Sequence, residues 1–228
     1  MKREIIITAD GSSTIHIPEW NEQYHSKHGA IQEAYHVFIK QGLHYYNEET
    51  WNQSDKICIL EIGFGTGLNA FITLLEAEKL KQPMHYVGVE AYPVSAEEIL
   101  QLNYVKQLQA ERETIRFDKI HKMSWENKHE VSPYFSLTKK QKLFKEIEDK
   151  AVFDIIYFDA FGARVQPELW TEDIFLKMYN ALKKDGVLVT YSAKGSVRRA
   201  MQAVGFIVER LPGPPGKREM LRGIKKDN

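Results

Sequence analysis

The chain has 228 residues, 43% of them hydrophobic and 27% charged, and its 31 basic and 31 acidic side chains give zero net charge. This composition excludes a disordered or collagen-like chain, and the single cysteine, Cys58, excludes an internal disulfide. No apolar run approaches the roughly 20 residues that span a bilayer. We therefore expect one soluble, cytoplasmic domain over residues 1–228 with no membrane contact. Zero net charge by itself argues against a nucleic-acid partner.

Strands and helices are predicted to alternate after an N-terminal extension at about 1–50. The extension holds a hairpin at 4–8 and 14–17 and a helix over 29–46. Strands follow at 57–62, 85–90, 134–138, 153–159, 186–191, 206–211 and 218–224, with helices at 67–80, 94–109, 171–182 and 194–204. This alternation predicts an α/β fold with a mostly parallel, seven-stranded sheet. Because only a Pro/Gly-rich turn joins the last two strands, they are expected to form an antiparallel pair at one edge.

A glycine-rich turn follows the first buried strand of this sheet. Residues 61–67 read Glu-Ile-Gly-Phe-Gly-Thr-Gly, and a helix is predicted to begin directly after them. Glycines allow a tight turn and the close approach of a ligand, and the helix N-terminus offers free N–H groups. The spacing differs from the dinucleotide-binding and P-loop patterns. The turn either binds a ligand or only connects the strand to the helix.

Two acidic residues end neighbouring strands of the predicted sheet. Glu90 follows the second strand, where an acidic residue in a doubly wound sheet hydrogen-bonds ribose hydroxyls. Asp159 ends the strand expected beside the first one, so its side chain should lie over the same crevice. The alternatives are a solvated loop carboxylate for Glu90 and a turn cap for Asp159. Together with the glycine turn, Glu90 favours an adenosine-containing ligand, of which S-adenosylmethionine is the first choice.

Several segments of the chain resemble one enzyme family. They are 24–26 (Tyr-His-Ser), 32–39 (Gln-Glu-Ala-Tyr-His-Val-Phe-Ile), 63–69 (Gly-Phe-Gly-Thr-Gly-Leu-Asn), 90–93 (Glu-Ala-Tyr-Pro), 159–161 (Asp-Ala-Phe), 167–170 (Pro-Glu-Leu-Trp), 191–199 (Tyr-Ser-Ala-Lys-Gly-Ser-Val-Arg-Arg) and 216–221 (Gly-Lys-Arg-Glu-Met-Leu). They resemble the methyltransferase domain of MnmC-type tRNA 5-methylaminomethyl-2-thiouridine biosynthesis enzymes. The resemblance is to a stand-alone form without the FAD-dependent oxidase domain.

The resemblance implies a class I S-adenosylmethionine-dependent methyltransferase with a Rossmann-like sheet. Such an enzyme would transfer a methyl group to the aminomethyl group of the modified wobble uridine in tRNA, giving 5-methylaminomethyl-(2-thio)uridine. Cofactor binding is expected of Glu61, Gly63, Phe64, Gly65, Thr66, Gly67, Asn69, Glu90, Ala91 and Asp159. Asp159 is expected either to act as the catalytic residue that accepts the amine proton or to hold the methionine ammonium. No metal is expected.

A tRNA anticodon stem-loop is the implied partner, and a separate enzyme would supply the aminomethyl intermediate. Tyr24, Phe161 and Tyr191 could stack an unpaired base. Residues 183–228 hold eleven basic and four acidic side chains, so this segment carries +7 and the rest of the chain −7. Phosphate contacts are expected of Arg198, Arg199, Lys217 and Arg218, which lie in the resembling segments. The alternative is a solvated charged face. Zero net charge overall therefore does not exclude tRNA.

Two other functions fit the same sequence. A small-molecule methyltransferase or a spermidine-synthase-like aminopropyltransferase would use the same turn and acidic strand ends without a basic C-terminal segment. A non-catalytic RNA-binding protein would bind tRNA without the cofactor. The chain also departs from the family after the third strand, where the family has an acidic residue facing adenine and this sequence reads Thr138-Lys139-Lys140-Gln141. Either a backbone group replaces that carboxylate or the strand lies elsewhere.

Overall fold

The computed structural model describes residues 2–50 and 56–226, so Asp227, counted above in the C-terminal charge, lies outside the described residues. The chain begins with a small antiparallel sheet of β1 (Glu4–Ile7), β2 (Ser13–Ile17) and β3 (Glu22–Gln23). Strands β1 and β2 form the predicted hairpin. None of the described helices is both long enough and apolar enough to cross a bilayer.

The predicted helix over 29–46 is present and has an unusual centre. It consists of α1 (Ala30–Ala34), a π-helical segment (Tyr35–His44) and α2 (Tyr45–Thr50). The side chains of Val37, Phe38 and Leu43 on this stretch are buried. They pack the helix onto the middle of the large sheet.

The large sheet has eight strands, one more than predicted. They are β4 (Ile57–Ile62), β5 (Met84–Val89), β6 (Lys128–Ser132), β7 (Phe135–Lys140), β8 (Phe153–Phe158), β9 (Leu182–Thr190), β10 (Ile207–Pro212) and β11 (Glu219–Ile224), in the order β10-β11-β9-β8-β4-β5-β7-β6. The prediction missed β6 because four of its five residues are polar and it pairs only with β7, at the sheet edge. Strands at an edge need no continuous apolar run.

Five parallel strands form the centre of the sheet, and both of their faces are covered. The helix from Ala30 to Thr50, α3 (Leu68–Leu80) and α6 (Thr114–Lys122) cover one face. Helices α7 (Glu172–Ala181) and α8 (Gly195–Ala203) cover the other. Strands β10 and β11 pair antiparallel at one edge, which confirms that prediction.

The predicted helix over 94–109 is instead two short helices, α4 (Ala96–Ile99) and α5 (Tyr104–Gln107). Asn103 separates them because it bonds to the N-terminal hairpin. Its Oδ1 accepts the Ser13 N–H at 2.8 Å, and its Nδ2 donates to the Gly11 carbonyl at 2.9 Å. These tertiary bonds end the helix where periodicity alone continues it.

Strand β7 ends two residues later than predicted, which corrects the alignment of its C-terminal end. Lys139 and Lys140 are part of the strand and do not follow it. Lys139 is buried, its ammonium donates to the His121 carbonyl at 2.9 Å and lies 4.9 Å from the Trp125 ring, and burial lowers its pKa to about 8. The segment that follows the strand therefore begins at Gln141.

Candidate active site

The turn at 63–67 leads from β4 into α3 in a conformation that requires glycine. The backbone φ angles of Gly63, Gly65 and Gly67 are 89°, 48° and 72°, in the region that side chains disfavour. A Cβ atom on Gly63 would lie 2.6 Å from the backbone oxygen of Asp159. The turn therefore reaches the end of β8 only because Gly63 has no side chain.

Glu90 holds this turn from the end of β5. Its carboxylate accepts the N–H of Gly65 at 3.0 Å and the N–H of Tyr92 at 2.9 Å. Ala91 lies beside it in the cavity wall. The carboxylate thus stands above the carboxyl ends of two adjacent parallel strands, where doubly wound sheets bind a ribose.

Asn69 links two carboxyl groups beside the turn. Its Nδ2 donates to Glu61 near the end of β4 and to Asp159 after β8, at 2.9 Å each. Desolvation, and secondly the charge of Glu33, raise the pKa of Asp159 to about 8. Desolvation also raises the pKa of Glu61 well above its ordinary value. Asp159 therefore favours the protonated form at neutral pH until a cation binds beside it.

Two acceptor atoms of this group have no hydrogen-bond partner among the described residues, namely Oε2 of Glu61 and Oδ1 of Asn69. Buried polar atoms are normally paired. Both atoms are buried, so they do not face the open cavity. A cation in the cavity beside Asp159 would favour its ionised carboxylate.

These residues open into a cavity of about 730 Å³, a size typical of small-molecule sites. Leu143 and Phe144, which follow β7, line the same cavity as Glu90 and the turn. They offer an apolar surface to a flat ring and no carboxylate. We call one set of lining residues the cofactor side of the cavity: Glu61, Gly63, Phe64, Gly65, Leu68, Asn69, Glu90, Ala91, Leu143, Phe144 and Asp159.

Aromatic residues line the same cavity, and the Tyr24 ring lies against the glycine turn, because a Cβ atom on Gly65 would meet that ring at 3.0 Å. The ring of Phe161 lies 5.0 Å from that of Tyr24 and 5.6 Å from that of Trp20, measured between centroids, and both pairs meet edge to face. Tyr191 donates its hydroxyl to the Ala160 carbonyl at 2.8 Å. We call Trp20, Tyr24 and Phe161 the aromatic mouth.

Glu33 and Lys217 form an ion pair in the cavity wall. Glu33 is only 5% exposed, and its Oε1 accepts the N–H of Ser26 at 3.0 Å. The Lys217 ammonium also lies 3.8 Å from the centroid of the Tyr191 ring. A buried carboxylate is costly without a partner, and the ion pair supplies one while joining α1 to the loop between β10 and β11.

The chain matches the model of the S-adenosyl-L-methionine-dependent methyltransferase family over residues 103–226. It belongs to this family. The match confirms the predicted cofactor, S-adenosylmethionine, and the predicted fold class, with the strand count corrected above. Among the described residues of this methyltransferase, no three His, Cys, Asp or Glu side chains are placed to hold a metal ion.

The methyltransferase is similar to proteins that differ in length. It is 30% identical over 223 residues to the tRNA 5-methylaminomethyl-2-thiouridine biosynthesis bifunctional protein MnmC of Leptospira interrogans, covering 92% of this chain and 33% of that protein. The chain thus spans about a third of the length of the curated relatives it matches. It is also similar to the crystal structure of MnmC2 from Aquifex aeolicus, with a TM-score of 0.77, 26% identity, and coverage of 97% of this chain and 70% of that one.

A spermidine synthase from Thermotoga maritima shares the fold alone. Its TM-score is 0.54 at 13% identity, with 100% of this chain and 73% of that chain covered. At this identity the likeness concerns the sheet and its helices and says nothing of the reaction.

Twelve of the predicted site residues of the methyltransferase line the cavity, and five do not. Those in the lining are Tyr24, Glu61, Gly63, Phe64, Gly65, Asn69, Glu90, Ala91, Asp159, Phe161, Tyr191 and Lys217. The side chain of Phe64 packs over Gly88 and meets Trp125, so it supports the turn from below. Outside the lining are Thr66, Gly67, Arg198, Arg199 and Arg218. The Thr66 hydroxyl accepts that of Tyr104 at 3.0 Å, which ties the turn to α5.

Much of the C-terminal positive charge is used within the protein. Lys183 pairs with Asp154, Arg222 with Glu209, and Lys226 with Asp185. Within residues 2–50 and 56–226, Lys194, Arg199 and Arg218 are exposed and have no ion pair, and Lys194 lines the cavity. We call Lys194, Arg198, Arg199 and Arg218 the basic rim. The basic rim therefore holds fewer basic side chains than the net charge of +7 over residues 183–228 suggests.

The sequence-based prediction missed Trp20, Glu33, Leu143 and Phe144. Glu33 had a detectable signal, because it lies three residues after Ala30 and four before Val37, on the buried face of a predicted helix. A carboxylate on an apolar stripe indicates a buried partner. Trp20 and Leu143 lie in short irregular segments, where only the tertiary fold brings them to a site.

Proposed function

We propose that this methyltransferase transfers a methyl group from S-adenosylmethionine to the aminomethyl group of the modified wobble uridine in tRNA. The observation that carries the proposal is one cavity that joins the cofactor side to the aromatic mouth. A site for a small substrate would not require a half-buried aromatic cluster in a cavity whose wall also carries Lys194, exposed and unpaired among the described residues. Similarity to the Leptospira interrogans MnmC, a protein of tRNA 5-methylaminomethyl-2-thiouridine biosynthesis, supports the same substrate.

The residues of the cofactor side fit S-adenosylmethionine. Glu90 would bind the ribose, Leu143 and Phe144 would contact the adenine, and Glu61 with Asp159 would bind the methionine ammonium. When bound, the cofactor supplies a methyl group on a positively charged sulfur. The positive charge of the ammonium would favour the ionised carboxylate of Asp159, whose pKa burial raises to about 8 in the absence of a cation.

The amine must be neutral to accept the methyl group, and the cavity contains carboxylates that can accept its proton. An alkylamine has a pKa near that of lysine, about 10.4, so reaching the neutral form at pH 7 costs roughly 4–5 kcal/mol. Holding the nitrogen in line with the methyl group supplies about 7–11 kcal/mol in favourable cases. Positioning therefore outweighs deprotonation, and a carboxylate in the cavity needs only to orient the amine and accept its proton.

The aromatic mouth and the basic rim suit an anticodon stem-loop. Unpaired bases stack on aromatic rings in RNA-binding proteins, and Phe161, held by Tyr24 and Trp20, offers such a ring next to Asp159. Arg199 and Arg218 would contact phosphates, which positions the RNA without reading its sequence. Methyl transfer consumes the aminomethyl group, so a separate enzyme would form it beforehand. The cytoplasm, where tRNA matures in bacteria, would be the place of both steps.

The test is to incubate the chain with methyl-labelled S-adenosylmethionine and tRNA from cells that lack the final methylation, and then to analyse the nucleosides. We expect label in 5-methylaminomethyl-(2-thio)uridine. Fully modified tRNA is the matched control and should take up no label. Label in another nucleoside would contradict the proposed substrate, but it would still show that the protein methylates tRNA. Transfer to free polyamines alone would favour the small-molecule alternative, and tRNA binding without cofactor binding would favour a non-catalytic RNA-binding protein.

A further inference from the structure

Two carboxyl groups of the cavity, those of Glu33 and Asp159, are candidates to bind the amine of the substrate, and they differ in their hydrogen-bond partners. We infer that Glu33 binds the substrate's aminomethyl group and accepts its proton, and that Asp159 serves the cofactor end instead. The inference rests on the proposed function, because it concerns how an amine substrate is held.

The hydrogen bond from Asn69 places the Asp159 side chain on the cofactor side. It shares the amide of Asn69 with Glu61, and Asn69 lies in the first turn of α3, directly after the glycine turn. Three side chains thus converge where the cofactor's ammonium fits. If Asp159 helps to bind that ammonium, it is not available to a second amine.

Glu33 lines the cavity from α1, has no hydrogen bond to Asn69 or Glu61 among the described residues, and keeps free acceptor capacity. One oxygen accepts the N–H of Ser26, two residues after Tyr24 of the aromatic mouth, and the other accepts from Lys217. A carboxylate has about four lone-pair sites, so each oxygen can accept a further bond from an ammonium group. The charge of Glu33 also acts on Asp159, as the second cause of its raised pKa. The two carboxyl groups are therefore close neighbours with different partners.

Lys217 is a positioning residue in this arrangement. Its ammonium contacts Glu33 and the face of the Tyr191 ring, which fixes both side chains. It also compensates the charge of the buried Glu33 while no substrate is present. Although the sequence suggested that Lys217 contacts phosphate, its side chain is held inside the protein by this pair.

The step balances with the groups present and the methyl donor. One proton passes from the substrate ammonium to the Glu33 carboxylate, which leaves a neutral amine. The nitrogen lone pair then forms a bond to the methyl carbon as the carbon–sulfur bond breaks. The electron pair of the broken bond stays on the sulfur and neutralises its positive charge. The product leaves as a secondary ammonium ion, and protonated Glu33 gives its proton to water.

The test compares Glu33→Gln with Asp159→Asn in two binding measurements that need no tRNA. The first is the affinity for S-adenosylmethionine, by calorimetry. The second is the binding of 5-aminomethyluridine and of uridine, by nuclear magnetic resonance, to protein saturated with S-adenosylhomocysteine. The glutamine keeps one acceptor oxygen and replaces the other with an NH2 donor, so it can retain the bond from Ser26 or from Lys217 but not both. Thermal unfolding of Glu33→Gln and of Glu33→Asp, which keeps both acceptor oxygens, therefore measures any structural role of Glu33 separately. Glu172→Gln, an exposed glutamate outside the cavity, is the matched control.

We expect wild-type protein to bind 5-aminomethyluridine at least tenfold more tightly than uridine. Glu33→Gln should lose this preference and bind S-adenosylmethionine at least as tightly as the wild type, because loss of the Glu33 charge favours ionised Asp159. Asp159→Asn should keep the preference and bind S-adenosylmethionine at least tenfold more weakly. Glu33→Asp, which keeps a carboxylate, should retain part of the preference. Equal binding of the two nucleosides by the wild type, or an unchanged preference in Glu33→Gln, would overturn the inference.

The tRNA assay separates this inference from the proposed function. If the wild type shows the nucleoside preference and labels no tRNA, the proposed function fails and the amine site stands. If the wild type labels the wobble uridine, Glu33→Gln should lower kcat/KM for tRNA by about 100-fold, consistent with the loss of a general base. Wild-type turnover by a folded Glu33→Gln protein would refute the role of Glu33.

Discussion

The cofactor side of the cavity is built mainly from residues close in sequence. The substrate side, which consists of the aromatic mouth with Glu33 and Lys217, brings together residues from near the two ends of the chain. Residues 61–69 and Glu90 with Ala91 belong to one strand-turn-helix unit and the next strand. By contrast, Glu33 and Lys217 are 184 positions apart. Local backbone geometry thus creates the place for the cofactor, and long-range tertiary contacts create the place for the substrate. Each side should accordingly fail separately when it is mutated.

The largest effect is expected from Gly63→Ala, which breaks the cofactor side. The left-handed backbone costs about 1–2 kcal/mol for a residue with a side chain, and the new Cβ would also meet a backbone oxygen 2.6 Å away, which cannot move freely. We expect calorimetry to show at least 100-fold weaker binding of S-adenosylmethionine. Gly195→Ala is the control, since its Cβ would meet only the flexible end of Arg199 at 3.3 Å. Similar binding by both variants would contradict this role of the turn.

Trp20→Ala should break the substrate side and leave the cofactor side intact. Stacking of a base on an aromatic cluster contributes about 1–3 kcal/mol per base, and Trp20 supports the ring of Phe161. We expect kcat/KM for tRNA to fall by about 5- to 100-fold in initial-rate assays, with unchanged affinity for S-adenosylmethionine. Trp20→Phe keeps an aromatic ring and should recover most of the rate. A loss of cofactor affinity in Trp20→Ala would mean that the two sides are not separate.

The affinity for S-adenosylmethionine should increase with pH, which sharpens the role of the cofactor side. Asp159, with a pKa of about 8, is mostly protonated below that pH and must lose its proton to bind an ammonium. Its surroundings are Asn69, Glu61, Glu33, Lys217 and Tyr191. The ionised fraction of Asp159 rises about 25-fold between pH 6.0 and pH 7.5. The cofactor's α-amino group, with an ordinary pKa of about 7.7–8.0, loses about a third of its charge over this range, so we expect about 15-fold tighter binding at pH 7.5.

Calorimetry in two buffers of different ionisation enthalpy measures the proton released on binding. In Asp159→Asn both the pH dependence and the proton release should become smaller, because the amide does not titrate. A wild-type affinity that is constant between pH 6.0 and 7.5 would show that Asp159 binds no cation there.

The smallest effect is expected from Arg199→Ala on the basic rim. A single phosphate contact contributes about one unit to the slope of log affinity against log salt concentration, so tRNA binding should weaken a few-fold at low salt. Arg210→Ala is the matched control, because Arg210 is also exposed and C-terminal and faces Glu219 at 3.8 Å. Filter-binding titrations over a salt series measure both slopes. Equal slopes for Arg199→Ala and the wild type would remove Arg199 from the tRNA contact surface.

The cofactor side could be predicted from the sequence because its signals are local. A buried strand, a glycine turn and a helix follow one another, and Glu90 ends the next strand at a fixed position relative to them. No local sequence pattern predicts β6, because its residues are mostly polar and it pairs with β7 at the edge of the sheet. The break at Asn103 depends on bonds to Gly11 and Ser13, and the partner of Glu33 lies near the other end of the chain. These features arise only when distant segments meet.

Titration of the free chain with S-adenosylmethionine, without tRNA, tests most directly whether the two sides of the cavity are independent. We predict one cofactor bound per chain, lost in Gly63→Ala, unchanged within about threefold in Trp20→Ala, and not weakened in Glu33→Gln. Cofactor binding that appears only after tRNA is added, or that is lost equally in all three variants, would contradict a cofactor side that is complete on its own.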